Sequence, residues 1–178
     1  HSTMTSRKLT TTSSSILKWH SVQATTKPPA SSSVNCWTTT FKASPYVDMG
    51  CGTSILAILA RMRGAAPCTA IDIDEWCVRN SLENIELNGV DRISVFQGDA
   101  SALEGKGPFD VVIANINRNI LLNDMKQYVR CMRSGSELYM SGFYVDDIPV
   151  IQAEAERNGL RFVHHREKNR WAAVKFAL

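Results

Sequence analysis

No Asp or Glu occurs among the first 46 residues of this 178-residue chain; the first acid is Asp48. Those 46 residues carry five Lys and Arg, and 20 of them are Ser or Thr, whereas residues 47–178 hold all 17 acids against 15 Lys and Arg and only nine Ser and Thr. The net charge of +3 is therefore concentrated in the N-terminal segment. No basic stripe marks the part whose patterning looks foldable, which argues against direct nucleic-acid binding. Apolar runs of the roughly 18 residues needed for a membrane span are missing, and so is the apolar centre of a signal peptide, so no membrane partner is expected and the location is read as cytoplasmic. Cys-x-x-Cys is absent too. The five cysteines, an odd number, suggest neither a zinc cage nor a full disulfide set, but reduced thiols.

What is present from residue 47 onward is an alternation of short apolar runs with amphipathic stretches, the pattern of successive β-α units on a largely parallel sheet. Strands are predicted at Tyr46–Asp48, Cys68–Ile73, Arg92–Gln97, Phe109–Ala114, Ser136–Gly142, Leu160–Glu167 and Arg170–Phe176, and helices at about 54–63, 75–88, 118–132 and 147–158. Asn88-Gly89 and Asn158-Gly159 supply helix stops. The last two strands are separated by only about Lys168-Asn169, too little for a crossover helix, and are expected to form an antiparallel hairpin at a sheet edge. His164-His165 lies on a late strand and reads as an exposed or edge pair, while Trp76 and Trp171 read as packing residues.

One stretch points to a ligand. Asp48-Met49-Gly50-Cys51-Gly52-Thr53-Ser54 sits between an apolar run and a helix that opens at Ile55. Two glycines at a strand-to-helix turn allow a tight bend and close backbone approach by a ligand, and a helix N-terminus presents free amides. A Gly-x-Gly alone is weak, and the third glycine of a dinucleotide fingerprint is replaced by Ile55. Asp72 then closes the second strand, where its carboxylate can accept both hydroxyls of a ribose, Asp99 closes the third and Asn115 the fourth. Each could be a helix cap or a turn residue by itself. Polar residues at the carboxyl ends of successive parallel strands line the crevice in which open α/β sheets bind ligands, and together they favour a nucleoside-bearing ligand.

With these residues the sequence resembles the class I S-adenosylmethionine-dependent methyltransferases and, more closely, the ribosomal-protein-L-eleven methyltransferases, which methylate lysines and an α-amine of their protein substrate. The resemblance is carried by Asp48–Gly52 with Ile55-Leu56-Ala57-Ile58, by Ile71-Asp72-Ile73-Asp74, by Asn84–Val90, by Phe109–Ile116, by Ser141-Gly142 and by Trp171. It spans residues 47–178 and implies a Rossmann-like α/β domain, an open twisted sheet of the seven-stranded methyltransferase type, mostly parallel with an antiparallel C-terminal hairpin. It further implies S-adenosylmethionine as cofactor and a ribosomal protein of the large subunit as partner. By position, Asp48, Gly50 and Gly52 would border the methionine end of the cofactor, Asp72 its ribose, and Asp99 with Ala100 its adenine, with Cys51 and Ile73 also among the cofactor-binding residues. Asn115 would face both cofactor and incoming amine and is the candidate catalytic residue. Ser54 replaces a glycine of the family pattern. Ile116-Asn117-Arg118 replaces the Pro-Pro-aromatic of nucleic-acid amine methyltransferases, which disfavours base methylation. A small-molecule or nucleic-acid methyltransferase on the same fold, and a catalytically impaired nucleotide-binding domain, stay open as alternatives.

The resemblance also bears on residues 1–46. The family loop that should precede the first strand, Phe-Gly-Thr-Gly-His-His-Glu-Thr-Thr, is absent. Yet Trp19–Pro29 can be encoded by DNA which, read one base earlier, spells Met-Ala-Phe-Gly-Thr-Gly-His-His-Glu-Thr-Thr. The same displacement turns Thr40–Pro45 into the family-like Phe-Gln-Gly-Lys-Ser-Val. Residues 1–46 are therefore read as an aberrant, out-of-frame translation and expected to be poorly packed, because they lack the apolar periodicity that offsets an ordering cost of about 1–2 kcal/mol per residue. Pro45 is expected to shorten the first strand.

Overall fold

The structure, a computed structural model, describes residues 41–178. The chain runs β1 (Tyr46–Met49), α1 (Ile55–Met62), β2 (Cys68–Asp72), α2 (Glu75–Leu87), β3 (Ile93–Gln97), β4 (Phe109–Asn115), α3 (Arg118–Arg130), β5 (Met132–Tyr144), α4 (Ile148–Arg157), β6 (Arg161–Lys168) and β7 (Trp171–Ala177). The strands form one seven-stranded sheet in the order β3-β2-β1-β4-β5-β7-β6. β1 to β5 pair in parallel, and β7 lies antiparallel between β5 and β6. This is the α/β architecture read from the sequence, C-terminal hairpin included.

Why these segments are strands is visible in their burial. Every residue of β1 is buried, as are Cys68–Ile71 of β2 and Val111–Ala114 of β4, so these central strands have helices on both faces and read as continuous apolar runs. Successive side chains point to opposite faces. Val47 and Met49 join the cluster beneath α3 and α4, with Leu121, Met125, Tyr128, Ile151 and Ala155, while Tyr46 joins the cluster beneath α1, with Ala57 and Ala60. β3, at the edge, has no buried residue. The N-terminus of α2 is capped by Asp74, whose side chain accepts from the Trp76 amide at 2.8 Å, and that of α3 by Asn117, which accepts from the Ile120 amide at 3.2 Å.

The structure departs from the sequence reading in places. β5 is longer than Ser136–Gly142, because Phe143 and Tyr144 pair with Ala172 and Trp171 of β7 beyond an irregularity at Gly142. A 3-10 turn over Ala100–Leu103, too short for any period to reveal, follows β3. The expectation of poor packing for residues 1–46 lies outside the described residues as far as residue 40; of the remainder, Lys42 and Ala43 are exposed, whereas Phe41 and Tyr46 are buried. Phe41 is only 6% exposed and meets the Tyr46 ring edge-on at 6.0 Å. Its amide donates to the Arg63 carbonyl at 3.0 Å. Pro45 does stand directly before the four-residue β1, and its carbonyl accepts from the amides of Asp110 and Val111 at the start of β4. No helix among the described residues is long and apolar enough to cross a membrane.

Candidate active site

The carboxyl ends of β1, β2, β3 and β4 meet at a cavity of about 580 Å³, within the usual size range of small-ligand sites. Six of the residues picked out in the sequence line it: Gly50, Asp72, Ile73, Asp99, Ala100 and Asn115. Asp48, Cys51 and Gly52 are not in its lining, and belong to the turn and strand behind it.

That turn is held by bonds that sequence reasoning did not anticipate. The amides of Gly50 and Cys51 both donate to the Ile71 carbonyl, at 2.8 and 3.0 Å, and the Gly52 amide donates to Oδ2 of Asp72 at 2.8 Å. The amides near the glycines thus tie the turn to β2. From α2, Ser81 Oγ donates to the Gly52 carbonyl at 2.9 Å and accepts from Ser54 Oγ at 2.7 Å, while Asn84 Nδ2 donates to the Thr53 carbonyl at 3.1 Å. Ser54, which stands where the family pattern has glycine, is fully buried with a left-handed φ of 57°. Its hydroxyl does not cap α1 but anchors the turn to α2.

Asp48 is 1% exposed, and neither carboxylate oxygen has a hydrogen-bond partner of ordinary geometry. Burial raises its pKa to about 7, the charge of Asp72 pushes the same way, and only the Ala57 amide in the first turn of α1 opposes them. Burial pushes the Cys51 thiol up to about 12, so it is a packed neutral group. At the other side of the cavity Asp99 Oδ1 accepts from the Ser101 amide at 2.9 Å and from the Ser101 hydroxyl at 2.6 Å, which holds its pKa below the usual carboxylate value. Asp99 thus caps the 3-10 turn and lines the cavity at once. Asn115 does not cap α3; Asn117 does. The Asn115 Oδ1 accepts from Ser141 Oγ at 2.9 Å.

The sequence reading missed the far wall, which is built by Ile116 and by Asn119, Ile120, Asn123 and Asp124 of α3. Beside it a second hollow of about 350 Å³ is lined by residues including Asn117, Gly142, Tyr144 and Trp171. Trp171, read as a packing residue, stacks at a tilt on Tyr144 with ring centroids 4.6 Å apart. His164 and His165 lie on the edge strand β6, and among the described residues no group of three or more His, Cys, Asp or Glu could hold a metal ion.

The ribosomal protein L11 methyltransferase of Bacteroides fragilis is 84% identical over 132 residues, which are 74% of this chain and 47% of that protein. That of Thermotoga neapolitana is 32% identical over 133 residues, 75% of this chain and 50% of that protein. The chain thus spans about half the length of the curated relatives it matches. Among solved structures, a ribosomal protein L11 methylase from Lactobacillus delbrueckii subsp. bulgaricus superimposes with a TM-score of 0.72 at 25% identity, over 81% of this chain and 73% of that one. TYW2 of M. jannaschii in complex with AdoMet shares the fold at 19% identity, with a TM-score of 0.63 over 78% of this chain and 69% of that one. The model of one family, ribosomal protein L11 methyltransferase (PrmA), matches residues 33–178, and the chain belongs to that family.

Proposed function

We propose that this chain carries the catalytic domain of an S-adenosylmethionine-dependent N-methyltransferase that acts on amino groups of a large-subunit ribosomal protein, a role in keeping with a cytoplasmic location. The observation that carries the reading is the convergence of Asp72, Asp99 and Asn115 on one cavity of about 580 Å³ at the strand ends. Asp72 is the group for the ribose hydroxyls; each of its oxygens accepts one backbone amide, from Gly52 or Asp74, and has lone-pair capacity for another donor. Asp99 and Ala100 would border the adenine, and Gly50, without a side chain, would let the methionine end approach the backbone. Asp48 lies buried behind the cavity, not in its lining. A carboxylic acid buried without a counter-charge is destabilised as an anion, and a positive group bound above it would favour its ionised form.

The bound cofactor supplies a methyl group on a positively charged sulfur, ready for in-line displacement. What the chain must do is orient a neutral amine against it. A free lysine with a pKa of about 10.4 is mostly protonated at neutral pH, and a desolvated site shifts it toward the neutral form. Asn115 Oδ1 can accept one N–H of that amine and leave its lone pair free for the methyl carbon. Titration calorimetry with S-adenosylmethionine and a methylation assay on ribosomal protein L11 test the reading. Binding in the micromolar range with methyl transfer is expected, and no binding even at millimolar concentration would overturn it.

We also infer that residues 1–46 are translated out of frame. This is supported by the hidden motif within Trp19–Pro29 and by a relative whose 84% identity covers only 74% of this chain. Sequencing the coding DNA decides it: codons for Trp19–Pro29 that do not yield the family loop one base earlier would sink the inference.

A further inference from the structure

Ser141 stands opposite Asn115 in the parallel pairing of β4 with β5. Its hydroxyl donates to Asn115 Oδ1 at 2.9 Å, and its carbonyl accepts from the amide of Ile116 at 3.1 Å. One residue of β5 thus grips both the side chain of Asn115 and the backbone that follows it. Ser141 is 9% exposed and does not line the cavity, whereas Asn115 does. A carboxamide has two ends of nearly the same shape and opposite hydrogen-bonding character, so a site that needs its oxygen must stop it from turning over. An amine nucleophile has hydrogens to give and a lone pair to keep, and only the oxygen end can receive it. The Ser141 hydroxyl engages one lone pair of Oδ1 and leaves the other. It also turns Oδ1 toward β5, the strand whose Gly142 and Tyr144 border the second hollow.

We propose that Ser141 is a positioning residue for methyl transfer, its hydroxyl as donor holding the Asn115 carboxamide in one rotamer, with Oδ1 toward β5 and a lone pair left for the substrate amine. The proposal rests on the methyl-transfer reading given above, and two kinds of measurement separate the two. In the first, S141A lowers kcat about 10-fold, in line with the loss of one orienting hydrogen bond. The dissociation constant for S-adenosylmethionine stays within about 2-fold, because the residue acts on the amine side. S141T, which keeps the hydroxyl, recovers most of the rate. S141A has no further effect in an N115A background, since the carbonyl it orients is gone. In the second, the side-chain amide resonances of Asn115, assigned by their loss in N115D, form one sharp pair in the unsubstituted chain and in S141T, and broaden or split in S141A. Unchanged Asn115 resonances in S141A, or the same fold-loss of rate with and without Asn115, would overturn the proposal. Absence of cofactor binding by the unsubstituted chain would defeat the methyl-transfer reading alone, and the resonances would still decide whether Ser141 orients Asn115.

Discussion

The Gly52 amide donates to Oδ2 of Asp72 at 2.8 Å, so the turn after β1 and the end of β2 form one hydrogen-bonded unit. The carboxylate proposed to hold the ribose is fixed by the glycine turn that it also fixes. D72N is expected to weaken binding of S-adenosylmethionine about 10- to 100-fold, because hydrogen bonds to a charged acceptor contribute about 1.5–3 kcal/mol. Calorimetry reads this directly, and an affinity unchanged within about 2-fold would remove Asp72 from the cofactor site.

Asp48 gives the domain a pH dependence of definite sign. Its pKa is raised by burial from 3.8 to about 7 in the folded chain, so between those values the native state holds a proton that the unfolded state has released. Stability from this group therefore falls as pH rises from about 4 to about 7 and is flat above, a total of about 4 kcal/mol at 1.36 kcal/mol per pH unit. Urea unfolding at pH 5 and pH 8 should show the loss in the unsubstituted chain and a much flatter profile in D48N. Parallel profiles would mean that the carboxyl is not the source.

Glycines in the site differ in what a methyl group would meet. At Gly142, with φ of +97°, an added Cβ would lie 2.6 Å from the Ile116 carbonyl oxygen, and backbone cannot swing aside. At Gly52, with φ of +55°, it would meet nothing within 4 Å. G52A is expected to destabilise by about 1 kcal/mol, the left-handed backbone penalty alone. G142A should exceed that by about 2 kcal/mol or more and should displace the Asn115–Ile116 segment. Thermal unfolding of the pair ranks them, and equal losses would contradict the close approach.

Ser81 Oγ is a fully buried junction between Ser54 Oγ and the Gly52 carbonyl. Replacing it with alanine removes both bonds; the Ser54 hydroxyl is fully buried, and a buried group left unsatisfied costs about 1–3 kcal/mol, while the Gly52 carbonyl is only part-buried. S81A should lower the unfolding midpoint and weaken S-adenosylmethionine binding together. A stability loss with unaltered affinity would show that α2 supports the fold and not the glycine turn.

The parts that were legible in the sequence share a cause. Strands β2 and β4, buried on both faces, are written as apolar runs, and the residue at which polarity resumes marks the strand end, which is why Asp72 and Asn115 stand out; Asp99, past the exposed edge strand β3, is legible only from its place in Gln97-Gly98-Asp99-Ala100. Ser141 stands in the sequence only as part of a motif, because its meeting with Asn115 depends on the register between two strands and joins residues 26 positions apart. Ser81 goes unmarked in the sequence, and Asn84 enters only within a motif, for the same reason: nothing local says which face of α2 turns toward a loop 27 to 31 residues earlier. Asn119 and Asn123 look like the solvated face of α3 until the cavity wall is seen. The packing of Phe41 was hidden by its Ser- and Thr-rich surroundings, which carry no period.

β1 has four residues, and each pairs on both sides, Tyr46–Met49 with Cys68–Ile71 and with Val111–Ala114. The sheet is thus two plates, β3-β2 and β4-β5-β7-β6, riveted by four rungs, and the proposed cofactor contacts are split between them: Asp72 and Asp99 on one plate, Asn115 on the other. A molecule lying across that seam adds a second fastening where the polypeptide has its narrowest one. Amide hydrogen exchange in β1 should therefore slow more on cofactor addition than exchange in β6 or β7, which lie on a single plate.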